Sequence, residues 1–228
     1  MNPTNGVLSE GRQMYQQHWR HLLPISFIVY GGVAVVSALL GAALGWVGAI
    51  IAALLSIVAL FWVQGALVAA VDDIRDGRAD LSVGDTFRRV RPRIGPIALA
   101  SILAGLGIGI GLLLLIIPGL ILMTIWVVIT PAIVLENAGT LDSFGRSREL
   151  VRGHGMSVFG VIVLTFLILL AFGIVLSVLM APLPSGVQEF VSNIVSGGLT
   201  APFIALTWTI LYYRLRDARG DATSLGAA

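Results

Sequence analysis

Between Arg20 and Asp72 the chain carries no Asp, Glu, Lys or Arg, and the same holds between Arg93 and Glu136. From Arg152 to Arg214 the only charged residue is Glu189. No soluble core can bury uncharged runs of 51 and 42 residues, so this spacing excludes a soluble domain and leaves a lipid bilayer as the solvent. Composition agrees: 57% of the 228 residues are hydrophobic and 11% charged, far below the roughly 25% charged share of soluble domains. The absence of cysteine excludes a disulfide framework and Cys-ligated zinc or iron–sulfur sites.

A membrane-spanning helix takes about 20 apolar residues at about 1.5 Å each. Each run therefore holds two. The first divides at Gly41–Gly45 into spans near 23–43 and 46–70. The second divides at Ile117-Pro118-Gly119, where Pro lacks an amide donor and Gly tolerates positive φ, into 95–117 and 120–136. The third divides at Pro182–Gly186 into 157–181 and 194–213. The expected fold is an all-α integral membrane protein of six transmembrane helices. Residues 1–22 form an amphipathic cytoplasmic helix with Leu8, Tyr15, Trp19 and Leu22 on one face, 23–213 the transmembrane domain, and 214–228 a cytoplasmic, disordered tail.

Lys and Arg concentrate in cytoplasmic loops. All 14 basic residues here are arginine, and with six spans every one falls on the same side, so both termini are expected in the cytoplasm. A cleaved signal peptide is not expected, because a polar stretch of about 20 residues precedes the first span and its apolar run exceeds an h-region. The loop sequence Asp85-Thr86-Phe87-Arg88-Arg89-Val90-Arg91 recurs as Asp142-Ser143-Phe144-Gly145-Arg146-Ser147-Arg148. Each copy leads into a pair of spans whose second member carries a late tryptophan, Trp126 or Trp208; Trp62 occupies that place in the first pair, and Trp62 and Trp126 each precede a carboxylate, Asp72 or Glu136, by ten residues. The chain thus reads as three parallel helical-hairpin repeats, each opened by a juxtamembrane helix, unlike the inverted repeats of many alternating-access transporters. Gly105, Gly107, Gly109 and Gly111, with Gly31 and Gly32, offer close helix contacts.

Three constellations carry candidate chemistry. Arg88, Arg89, Arg91, Arg146, Arg148 and Arg152 form a face suited to anionic lipid headgroups, since guanidinium holds phosphate in a bidentate fork. Glu136 sits where an unpaired carboxylate is expensive, so an ion pair with Arg146 or Arg148 is expected, on a short helix capped by Thr140 or Asp142. Asp72, Asp73, Asp76 and Asp80 fit DDxxDxxxD, a spacing that can hold Mg²⁺ for a diphosphate. That last motif resembles the first aspartate-rich motif of membrane aromatic prenyltransferases, although the second motif and the further spans of that family have no counterpart here. Arg75 and Arg78 can instead pair with these aspartates, which favours a solvated helix end. His18, His21 and His154 lack metal-site or triad spacing, and no Asp, Glu, Lys, Arg or His lies at mid-membrane, which argues against ion-coupled transport.

At Ile117-Pro118-Gly119, Thr130-Pro131-Ala132-Ile133-Val134-Leu135-Glu136 and Phe144-Gly145-Arg146-Ser147-Arg148-Glu149-Leu150-Val151-Arg152-Gly153, the chain resembles a bacterial six-span family. That family includes the membrane domain ahead of some glycerophosphoryl diester phosphodiesterases and stand-alone relatives of unknown function. The resemblance implies a membrane module without the catalytic barrel. The expected function is that of a non-catalytic protein of the bacterial cytoplasmic membrane, lipid-contacting or scaffolding. Its partners would be the bilayer, anionic headgroups and a cytosolic or membrane protein, with no cofactor and no nucleic acid. The alternatives are a Mg-dependent transferase acting on a prenyl or lipid diphosphate, and a passive permease.

Overall fold

A computed structural model describes residues 3–75 and 81–220. Among these the secondary structure is helical, in the order α1 (Val7–Arg75), α2 (Val83–Val90), a 3₁₀ turn (Arg91–Arg93), α3 (Ile94–Leu114), α4 (Ile116–Ile125), α5 (Ile129–Glu136), α6 (Thr140–Val151), α7 (Gly155–Met180) and α8 (Ser185–Ala218). Among the described residues five helical stretches are long and apolar enough to cross a bilayer. Their outer surfaces are apolar: Leu113, Leu114, Ile117, Phe166 and Val178 are exposed, an arrangement suited to lipid. The protein is an all-helical membrane protein.

As a straight rod the 69 residues of α1 would reach roughly 100 Å, but the helix is interrupted at His18 and Gly45. Gly45 adopts φ 56° and ψ −131°, open to glycine and strained for other residues. The chain reverses there, since a side chain at Gly48 would collide with the Leu40 carbonyl, eight residues back. The interruption at His18 separates the N-terminal segment from the apolar part. Leu8 and Tyr15 pack against the core and Leu22 is buried, whereas Trp19, beyond the interruption, is exposed.

The main core joins both arms of α1 to α8 through Leu22, Ile25, Leu67 and Val71 on one side and Ala205, Leu206, Ile210 and Leu215 on the other. Pro202 gives this contact its chemistry. Lacking an N–H, it leaves the Gly198 carbonyl, four residues earlier, without its helical donor. The Ser26 hydroxyl supplies the missing bond at 2.7 Å, and the Tyr15 hydroxyl donates to the neighbouring Leu199 carbonyl at 3.2 Å. Gly197 and Gly198 lie under the rings of Tyr30 and Phe27, which a side chain on either glycine would displace.

Several boundaries differ from the sequence expectation. The α3–α4 reversal falls at extended Leu115, not at 117–119, because Pro118 fits the first turn of α4, where no amide donor is required. Gly111 meets the Gly119 backbone and Gly107 meets the Trp126 ring, while Gly31, Gly32, Gly105 and Gly109 face open space. The second hairpin's return arm is broken at 126–128, and Ser147 repairs it: its hydroxyl donates to the Ile125 carbonyl at 2.8 Å and accepts the Val128 N–H at 3.3 Å. Gly139, rather than Thr140 or Asp142, precedes the first turn of α6 as its cap. The tail expected from 214 is helical through Ala218, because Leu215 is fully buried and Arg214 bonds Glu10; residues 221–228 lie outside the described residues.

Ser26→Ala should lower stability by about 1 kcal/mol, the cost of an orphaned carbonyl. In a Pro202→Ala background, where residue 202 regains its N–H, the same substitution should cost less. Thermal unfolding of the four proteins in detergent reads the difference, and equal costs in both backgrounds would refute the assignment.

Candidate functional site: a charged belt with an open arginine cavity

The polar chemistry gathers in one connected belt. Asp72, at the end of α1, is nearly buried; Arg89 of α2 donates to its Oδ2 at 2.9 Å and the Tyr213 hydroxyl donates to its Oδ1. Asp73 accepts the Leu81 N–H at 3.1 Å. Asp76 and Asp80 lie outside the described residues. Among the described residues no group of three or more metal-ligating side chains forms. Both oxygens of Asp72 thus accept from protein donors, one of them the Arg89 guanidinium.

Glu136, at the end of α5, has a matching environment. Arg146 of α6 donates from Nε to Oε2 at 2.8 Å and from Nη2 to Oε1 at 2.9 Å, and the Tyr212 hydroxyl donates to Oε1 at 2.6 Å. The ion pair is largely enclosed, with Arg146 and Glu136 side chains 21% and 16% exposed. Arg146 also reaches Glu149 at 3.3 Å. Arg148, the other partner expected for Glu136, is exposed.

Each short helix is seated by an aromatic pair. Phe87 of α2 meets Trp62 edge to face with centroids 5.2 Å apart, and Phe144 of α6 meets Trp126 in the same way at 5.0 Å. Trp62 also donates its indole N–H to the Phe87 carbonyl at 3.3 Å. Tyr212 and Tyr213 are consecutive on α8, so one helix serves both carboxylates, and their own rings are 5.3 Å apart. Arg75 stacks over Tyr213 at 4.1 Å, and Arg216 lies over the same ring at 4.7 Å. Glu10 ties in the N-terminal segment, accepting from Arg214 Nε at 3.1 Å with Arg75 at 3.9 Å. Arg93 donates from Nε to Asn137 Oδ1 at 2.7 Å, and Asn137 ends α5 in the left-handed conformation.

Among the described arginines outside these contacts, Arg88, Arg91, Arg148 and Arg152 are exposed. Arg88 keeps an exposed pair with Asp85 at 2.9 Å, and Arg91 is exposed. Arg148, Arg152 and Arg219 line a cavity of about 610 Å³ where α6 gives way to α7. Arg219 was not among the expected site residues, nor were Tyr212, Tyr213 and Asn137. A doublet of tyrosines beside the closing arginines of the last span was the available sign of the first two. Of the polar residues within spans, Thr124, Thr165 and Thr207 return their hydroxyls to their own helices, while Gln64 and Thr130 line a cavity of about 280 Å³ with Tyr30 and Trp208.

Arg146→Ala should leave Glu136 enclosed beside Tyr212 alone and lower stability by about 3 kcal/mol, as removal of one partner from a buried pair does. Tyr212→Phe, which keeps the ion pair, should cost about 1 kcal/mol. Thermal unfolding in detergent tests the order; a Tyr212→Phe loss equal to that of Arg146→Ala would place the main restraint on Glu136 in the tyrosine.

No curated protein and no solved structure matches the chain. One family model does, over residues 90–213, more than half of the length and including Glu136, α6 and both tyrosines. The chain belongs to this family, described as a domain of unknown function, DUF7847.

Proposed function

We propose that the protein is a non-catalytic integral membrane protein whose arginine face engages anionic lipid. The observation that carries this reading is a division of labour among charges. The oxygens of Asp72 and Glu136 are occupied by arginine and tyrosine donors, whereas Arg88, Arg91, Arg148 and Arg152 remain exposed at the belt. A carboxylate so occupied serves to hold helices together; an exposed guanidinium beside apolar helix surface is suited to lipid phosphate. The division argues equally against a Mg-dependent transferase at Asp72.

The accompanying topology is six spans in three parallel hairpins, with the belt and both termini on the cytoplasmic side of a bacterial membrane. It is supported by the reversal at Gly45 and by a pattern repeated after each of the first two hairpins, whose tryptophan and carboxylate meet a phenylalanine and an arginine of the short helix that follows. Kinship with the six-span family containing the phosphodiesterase-linked membrane domain is part of the same proposal and rests on the motifs quoted above.

Two measurements test it. In detergent, phosphatidylglycerol should raise the melting temperature more than phosphatidylcholine does, and the difference should shrink at 1 M salt, where the screening length falls to about 3 Å. Equal effects of the two lipids would overturn the lipid reading. Because the chain has no cysteine, single cysteines replacing Leu115 or Leu183 should react with an impermeant maleimide on intact cells, and one replacing Arg88 only after lysis. The opposite pattern would overturn the topology.

A further inference from the structure

We infer that one anionic phospholipid binds at the start of α7, its phosphate in the arginine cavity and an acyl chain in the apolar groove between α4 and α7. The inference rests on the lipid-engaging reading above and names its site. The cavity of about 610 Å³ lined by Arg148, Arg152 and Arg219 does not end at its own walls. It shares Ile125 and Gly155 with a groove of about 350 Å³ lined by Ile117, Leu120, Ile121, Met156 and Phe159. Both volumes fall in the range of small-molecule sites, roughly 300–1,000 Å³. A cationic chamber continuous with an apolar one matches the two halves of a phospholipid, and a soluble anion would leave the second half empty.

The chamber is built for an anion rather than lined with cations by chance. The Arg219 Nη2 donates to the Arg152 carbonyl at 2.9 Å, which holds its guanidinium across the opening, yet Arg219 Nε is buried without a partner. The one carboxylate in the lining, Glu149, is drawn to Arg146 at 3.3 Å, so the charge facing the chamber is positive. The amide groups opening α7, a helix of 26 residues, add their partial positive charge at Gly155. Space is provided by glycine: side chains added at Gly145, Gly153 or Gly155 would meet nothing within 4 Å. Gly153 is required also for its φ of 90°, but Gly155 is helical, so its missing side chain serves the opening. From Ile125 to Ile117 the groove follows α4 for eight residues, about 12 Å, enough to order the upper part of an acyl chain.

The glycine permits a test that spares the fold. Gly155→Leu should fill the junction of the two chambers, where an added Cβ meets nothing within 4 Å, and Gly160→Leu, a position on the same helix with the same open space at Cβ, is its control. The full chain is reconstituted in phosphatidylcholine nanodiscs doped with phosphatidylglycerol, extracted gently, and the retained lipid counted by native mass spectrometry. Wild type and Gly160→Leu should retain one phosphatidylglycerol. Gly155→Leu and the double variant Arg148→Gln, Arg152→Gln should each retain at least tenfold less, with melting temperatures in pure phosphatidylcholine unchanged. Soluble glycerol phosphate should fail to displace the lipid.

Equal retention by Gly155→Leu and wild type, with the wild-type preference for phosphatidylglycerol intact, would overturn this site and leave the broader reading standing. No preference in wild type would overturn both. Displacement by glycerol phosphate at concentrations comparable to the lipid would show a site for a free phosphoester and overturn the acyl half.

Discussion

A carboxylate at the edge of a bilayer must be neutralised by the protein itself, and the architecture is arranged around doing so twice. Asp72 and Glu136 each end an apolar helix, each take an arginine from the short helix that follows, and each receive a tyrosine hydroxyl from α8. Without these donors each would be a charge in poorly solvating surroundings, which is costly enough to unseat a helix end. The short helices α2 and α6 are therefore held by charge on one face and by an aromatic edge on the other. Their exposed arginines are presented from a fixed platform, which is the condition for recognising a headgroup rather than merely attracting one.

The same accounting governs the backbone. Where Pro202 removes a donor and where the 126–128 break interrupts the ladder, serines from distant segments complete the bonds. In lipid no water substitutes for them, so each serine fixes which helices are neighbours as firmly as packing does. Ser26 commits the first arm of α1 to α8, and Ser147 commits α6 to the α4–α5 arm. Polar atoms that would be incidental in a soluble protein thereby become determinants of topology.

Much of this was legible beforehand because the bilayer imposes a simple rule on charge. The long gaps between charged residues located the apolar helices, and the D-[ST]-F-x-R-x-R motif located the two seated helices, since Phe and Arg at that spacing point to different neighbours. The turn positions were less legible: Pro118 suggests a break wherever it stands, and only the backbone of Leu115 shows that it opens a helix instead. The tyrosines were missed for a different reason. Aromatic residues are ordinary at membrane interfaces, so nothing local distinguishes a tyrosine that bonds a carboxylate from one that anchors in headgroups. Arg219 was hidden by its place beyond the last apolar run, where composition reads as tail.

Tyr212 and Tyr213 follow one another on α8, and adjacent helical residues diverge by about 100°. A single helix therefore touches two carboxylates from two hairpins, and neither contact survives if it turns or slides by one residue. During synthesis both hairpins precede α8, so Asp72 and Glu136 must wait with arginine alone until α8 arrives. That helix thus acts as a keystone: it closes both halves of the belt in one event, and the two hairpins are fixed in register only when it is seated.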